Sequence, residues 1–447
     1  MIRYLPDALY SGGQLQRGGA LLVGDDGFVA SEAKGQIEEV RLPGKLLVPG
    51  FVNGHSHAFQ RVLRARTEFL APGHERDDFW SWREAMYAAA DSLTPEQLYD
   101  VSKQCFLEMA LSGVTTVGEF HYLHHQPGGA PYEDPQLLAK QVIAAARDVG
   151  LRIVLLRVGY ARAGFNVAAN ARQKRFIDAD AETFLSRTGE LAAQTKNDPL
   201  VTVGLAPHSV RAVPLEWLRA VAREWKSGPL HMHVAEQPAE LRACEAEYGV
   251  TPIALLAREG LLSERFTGVH AIHLTADEVA ELGRARANVC ACPSTERNLG
   301  DGIVRVDELL AAGASISLGS DSHAHIGMLE EAQMMEGHLR LLRLRRNVLN
   351  APGGVWPTLL ESLSASGSRS LGLAPSSLLA GERADFVTLD LNHPTLLGVN
   401  DARVLMSAPS ASVRDVVVAG RRIVSDGQHA AQRETAERFS RVMTALS

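Results

Sequence analysis

Cysteine is scarce in this chain, with four residues in 447. That is too few for a disulfide framework at this length, and Cys290 and Cys292, two apart on an apolar stretch, read as reduced core residues. No apolar run is long enough to span a bilayer. The N-terminus, MIRYLPDALYSGG, lacks the basic-then-apolar layout of a secretory signal, so the expected location is the cytoplasm. An excess of positive charge is missing as well. The formal net charge is -7, which argues against a nucleic-acid partner, although a local pocket can still be cationic. What is present, 46% hydrophobic and 22% charged residues, suits a soluble globular protein with one large domain, or a large one plus a small one.

Short apolar runs broken by glycine fill residues 1–46. Ala20-Leu21-Leu22-Val23 ahead of Gly24-Asp25-Asp26-Gly27 reads as part of a hairpin. The far end has the same texture, in Asp385–Leu389, Val413–Ala419 and, after Gly420, Arg422-Ile423-Val424. The two ends predict one small β-sandwich domain, residues 1–46 and 376–447, with a closing helix over about Ala430–Leu446. Between them, over 47–375, eight short apolar strands alternate with helical patterns. The strands are Leu47–Gly54, Val114–Glu119, Arg152–Gly159, Val201–Pro207, Pro229–His233, Gly268–His273, Asn288–Cys292 and Ser315–Asp321. Helices include Pro135–Val149, Pro214–Trp225 and Thr275–Arg286. Eight β-then-α units predict an α/β fold of the (β/α)8, TIM-like barrel type rather than a doubly wound sheet.

A barrel builds its site at the C-terminal ends of its strands, so polar, metal-capable residues should collect there. Strand one ends at His55-Ser56-His57, whose two imidazoles face one side of an extended chain. Strand two ends at Glu119, followed by His121 and Tyr122. His208, His233, the stretch His270 to His273 and Asp321 end strands four, five, six and eight. Packing gives apolar strands no reason to carry histidine at one end only. His55, His57, His233 and Asp321 make a ligand set for a catalytic divalent metal with a place left for water. His231 shares the HMHVAE segment but lies deeper, and reads as a hydrogen-bonded interior histidine. His323 and His325 read as loop residues, and His124 and His125 as solvated.

Glu236, three residues beyond His233, is placed to shuttle a proton; the plainer reading is a helix N-terminal acid beside Pro238. His270 either supports the reacting centre or is a core histidine. The fourth strand, VTVGLAP, has no Lys, Glu or Asp to bridge two ions, which favours one metal. The ligand types alone do not choose among zinc, iron and manganese, any of which could take these places.

PGFVNGHSH, HMHVAE, a histidine on strand six and GSD on strand eight together resemble the amidohydrolase superfamily, and GERADFVTLD resembles that family's closing strands. The likeness spans nearly the whole chain and points to the deaminase branch. It implies one zinc per subunit on His55, His57, His233 and Asp321, proton transfer by Glu236, His270 and Asp321, and a homodimer. HSHAFQR, DDFWSWREAMY, GEFHYLHH, APHSVRAV and CPSTERNLGDG are most similar to branch members that deiminate a linear dicarboxylate amidine, N-formimino-L-glutamate, in histidine breakdown. The last of these segments departs from the P-x-S-N form of nucleobase and triazine deaminases. By this resemblance Gln60, Arg83, Tyr122, His208 and Arg211 form the substrate shell. The chemistry agrees, because two carboxylates call for arginine forks. Arg83 has a competing reading as a helix-surface charge beside Glu84, and Arg340–Arg346 reads as a solvated or subunit-facing helix side. The competing functions are deamination of a ring such as guanine or S-adenosylhomocysteine, and a catalytically dead barrel used as a scaffold.

Overall fold

The computed structural model describes residues 1–70, 75, 77–399 and 401–446. Eight parallel strands form the expected barrel: Phe51–Ser56, Val114–His121, Arg152–Gly159, Val201–Pro207, Leu230–Val234, Phe266–His270, Asn288–Ala291 and Ser315–Leu318. Strands three and four match the expected limits to the residue. These runs are rich in Val, Ile and Leu, as strands covered on both faces must be. Arg152–Gly159, for example, is buried along its whole length.

Differences at the other strands have local causes. Leu47, Val48 and Pro49 do not belong to the barrel. They end a twelve-residue strand, Glu38–Pro49, that pairs with Phe386–Asp390 in the other sheet, and Gly50 is the switch between sheets. Strand six stops at His270 because His270 and Ala271 both take positive φ, 68° and 48°. Strand eight stops at Leu318, and Asp321 follows on a turn with φ 46°.

Strands from both chain ends make a mixed seven-stranded sheet. Its order is Arg421–Val424, Val413–Val418, Phe386–Asp390, Glu38–Pro49, Ile2–Ser11 and Gln14–Arg17, with Leu21–Val23 also on Ile2–Ser11. It has its own small apolar core around Tyr4, Leu9, Leu47, Phe386 and Val417. A buried ion pair, Arg152 with Asp385 at 3.2 Å, ties this sheet to the N-terminal end of barrel strand three. The link therefore lies at the end of the barrel opposite the catalytic mouth, where residues serve stability. The C-terminal helix Gln432–Ala445 packs against the barrel helix Pro95–Leu111, with Arg438 on Asp100 at 2.6 Å.

Helix limits follow their caps. Pro95–Leu111 starts on Thr94 with a reciprocal bond to Gln97, and Ala276–Arg284 starts on Thr275 with Glu278 in the same arrangement. All four cysteines are buried and free. No helix among the described residues is long and apolar enough to cross a membrane.

Candidate active site

The barrel closes at its mouth, through the residues that carry the chemistry. Strands one and eight share no regular ladder. Instead Asp321 N–H donates to His55 O at 3.0 Å and His57 N–H to Asp321 O at 3.2 Å. Beneath this seam Asn53 donates from Nδ2 to Ser320 Oγ at 2.7 Å and accepts the Ser320 N–H at 3.1 Å. His233 is set the same way, its N–H donating to His208 O at 3.0 Å across strands four and five. Positive φ at Asp321, where an L side chain is disfavoured by about 1–2 kcal/mol, turns its carboxylate inward.

Four donor atoms meet as a result. The Nε2 atoms of His55, His57 and His233 lie 3.1, 3.1 and 3.4 Å apart, and Asp321 Oδ1 is 3.2 Å from those of His55 and His57. His57 Nδ1 lies 2.9 Å from Phe120 O, which makes Nδ1 the donor and leaves a lone pair on Nε2. His233 does the same with His208 O at 3.3 Å. Burial pushes His55 down to about 3 and His233 well below the ordinary imidazole value, so these rings are neutral. Lone pairs aimed at one another at this range repel unless a cation lies between them. The spacing is what donors about 2.0–2.2 Å from a common ion would adopt. The residues present therefore fit a divalent metal.

Around the cage stand the groups expected to move protons. His270 Nε2 is 3.7 Å from both Glu236 Oε1 and Asp321 Oδ2, and its Nδ1 is 3.3 Å from Glu296 Oε1. Burial opposes charge on His270, but Glu236, Glu296 and Asp321 outweigh it and lift the imidazole to about 10. Glu236 accepts from Arg211 Nη2 at 2.8 Å, and Arg211 Nε also faces Glu240 at 3.7 Å. Arg211 is thus shared by two buried carboxylates.

A cavity of about 610 Å³, counted with its open mouth, rises from the cage and is lined by all five residues of the expected substrate shell, Gln60, Arg83, Tyr122, His208 and Arg211. Gln60 Nε2 donates to Tyr122 OH at 2.8 Å, while its Oε1 is buried and has no partner among the described residues. Arg83 comes from helix Phe79–Ser92, which roofs the cavity together with Phe79, Trp82, Met86 and Tyr87. Its guanidinium lies over the Trp80 ring at 4.6 Å and has no carboxylate partner among the described residues.

His231 is interior, with Nε2 on Ser370 O at 2.7 Å, as anticipated. His323 lies on a loop but is fully buried, held by Ser56 Oγ at 3.3 Å and Ser320 Oγ at 3.0 Å, because the turn after Asp321 folds back over strand one. The expectation that His124 and His125 are solvated is wrong. Their ring nitrogens sit on Val158 O and Ile177 O, each at 2.8 Å, because the loop packs under residues 171–175. His325 stays half exposed near Glu330. Arg340 and Arg343 are occupied by Glu336, Asp307 and Glu308. Glu296 was missed. CPSTERNLGDG departs from the P-x-S-N pattern at this glutamate, which lies 3.3 Å from His270 Nδ1.

Residues 46–423 match the amidohydrolase family, and the chain belongs to it, as a metal-dependent hydrolase of the deaminase type. Across 414 residues, 91% of this chain and 90% of the relative, it is 38% identical to formimidoylglutamate deiminase of Pseudomonas aeruginosa. It is also 30% identical to 8-oxoguanine deaminase of the same organism, over 94% of this chain and 93% of that one. The crystal structure of an amidohydrolase from Brucella melitensis superposes with a TM-score of 0.92 at 33% identity, covering all of both chains.

Proposed function

We propose that this enzyme hydrolyses N-formimino-L-glutamate to N-formyl-L-glutamate and ammonia, a step of histidine breakdown. The observation that carries the reading is Arg83, a guanidinium on the cavity wall without a carboxylate of its own among the described residues. A substrate with two carboxylates supplies that partner, and a nucleobase does not. Gln60 Oε1, a buried acceptor without a donor among the described residues, suits an amidine N–H.

His55, His57, His233 and Asp321 would hold one zinc. When bound, the ion would supply the Lewis acidity that activates water at neutral pH. Asp321 takes the proton of the attacking water, and Oδ2, turned toward His270, is the oxygen available for it. Glu236, oriented by Arg211, delivers a proton to the imino nitrogen. His270 donates a hydrogen bond to the oxygen that adds to the formimino carbon. The proton taken by Asp321 then passes to the same nitrogen, the carbon–nitrogen bond breaks, ammonia leaves carrying both delivered protons, and the hydroxyl proton of the adduct returns to Glu236 as the formyl C=O forms.

An ammonia-release assay tests this. Turnover of N-formimino-L-glutamate with none on guanine, 8-oxoguanine or S-adenosylhomocysteine is the expected result. Turnover of a ring substrate alone would replace the reading with a ring deaminase. No ammonia from any of them, with no bound metal, would leave a scaffold.

A further inference from the structure

Arg83 is not alone on the far wall of the cavity. Tyr87, one helical turn along the roof helix, lies on the same face, with the Arg83 guanidinium 5.5 Å from its ring centre. Its hydroxyl is 3.2 Å from that of Tyr160, which follows barrel strand three. Both phenols line the cavity and both are buried. Gln173, on the turn Ala171–Arg175 and fully buried, donates from Nε2 to Tyr87 OH at 3.0 Å and to Tyr160 OH at 3.1 Å. The amide cannot be turned round, because its Oε1 accepts the Asn170 N–H at 3.0 Å.

Counting hydrogens on this cluster leaves one over. The two amide hydrogens of Gln173 go to the two phenol oxygens. One phenol O–H then goes to the other phenol oxygen across the 3.2 Å contact. The second O–H has no acceptor among the described residues, and a buried donor without an acceptor is unfavourable. Both phenols line the same cavity as Arg83, whose guanidinium has no carboxylate partner among the described residues. Fixed donors and a cation around an empty volume make an anion receptor. It is also separate from Arg211, whose charge is already shared by Glu236 and Glu240.

We propose that Tyr87 and Tyr160 form a paired hydroxyl receptor that, with Arg83, binds the substrate carboxylate further from the formimino group. The inference rests on the proposed substrate and adds two specificity-determining residues to it. Either hydroxyl can give its hydrogen to the carboxylate. Losing one frees the other from its neighbour, so one donor survives each single change and none survives both.

The test uses metal-loaded enzyme and the variants Tyr87→Phe, Tyr160→Phe and the double variant, with N-formimino-L-glutamate and N-formiminoglycine, which lacks the distal carboxylate. Phenylalanine keeps the rings, and melting temperature and metal content verify the fold. Each single variant should raise KM for the glutamate derivative by no more than about 3-fold. The double variant should raise it by about 10-fold or more with kcat within about 2-fold. KM for the glycine derivative should not change. An unchanged KM in the double variant, or an equal rise for both substrates, would overturn the receptor. A wild-type enzyme that turns over neither formimino compound would instead sink the proposed substrate, so the two failures are distinguishable.

Discussion

Arg211 and Glu236 form a buried ion pair, Nη2 to Oε2 at 2.8 Å, beside the three-histidine cage. The arginine that the sequence places in the substrate shell is therefore also the residue that holds the proton donor. Glu236→Gln keeps the size of the side chain and leaves Arg211 its second partner, Glu240, at 3.7 Å. The variant should keep its fold and metal but lose about 10³-fold or more in kcat. Steady-state kinetics with metal analysis checks this, and near-normal turnover would remove Glu236 from proton transfer.

Arg211→Ala does something different. It leaves Glu236 and Glu240 buried together without their shared cation, which is a costly arrangement. It should lower kcat and raise KM, each by about 10-fold or more, with metal content unchanged and a lower melting temperature. An unchanged KM would take away its contact with substrate. An unchanged kcat would mean that it does not orient Glu236.

Removing the metal exposes the cost of the cage. Without a cation, three Nε2 atoms, those of His57 and His233 with their lone pairs outward, and a carboxylate oxygen crowd together at 3.1–3.4 Å. Chelation should abolish turnover and lower the melting temperature, and zinc should restore both at about one ion per chain. Elemental analysis beside a thermal melt reads both effects. A stoichiometry of two ions would contradict the single site implied by the fourth strand, VTVGLAP, which has no bridging carboxylate or lysine.

Most of the barrel could be read from the sequence because its strands are apolar runs bounded by Gly or Pro, with chemistry confined to one end. Arg152–Gly159 and Val201–Pro207 are the clearest cases. The same signal misplaced Leu47–Pro49, since an apolar run does not say which of two sheets it joins; Gly50 makes that choice in three dimensions. The meeting of His55, His57, His233 and Asp321 was legible from residue type and strand position. Glu296 was not, because its role depends on helix Pro293–Leu299 bringing it under His270, 26 residues away in the chain. Gln173 sits in ANARQKR, a segment that looks like solvated surface until the fold closes the roof helix over it. Its partners Tyr87 and Tyr160 lie 86 and 13 residues away.

Glu331 gives a pH dependence that does not involve the cage. It is fully buried on helix Met328–Arg343, accepts the Ser294 N–H at 2.9 Å through Oε2, and has no partner for Oε1 among the described residues. Burial pushes it from 4.5 up to about 8, the Ser294 hydrogen bonds oppose the rise, and Glu296 adds to it. The folded protein therefore holds a proton that the unfolded chain releases above pH 4.5. The stability this gives is fully present below pH 4.5 and is lost progressively as pH rises to about 8. Glu331→Gln keeps the acceptor for Ser294 and puts an uncharged amide where the proton sat. Its melting temperature should match wild type near pH 5 and exceed it near pH 8.5. Thermal melts of both proteins across that range check the sign, and a variant less stable than wild type at pH 8.5 would show that Glu331 is ionised in the folded enzyme.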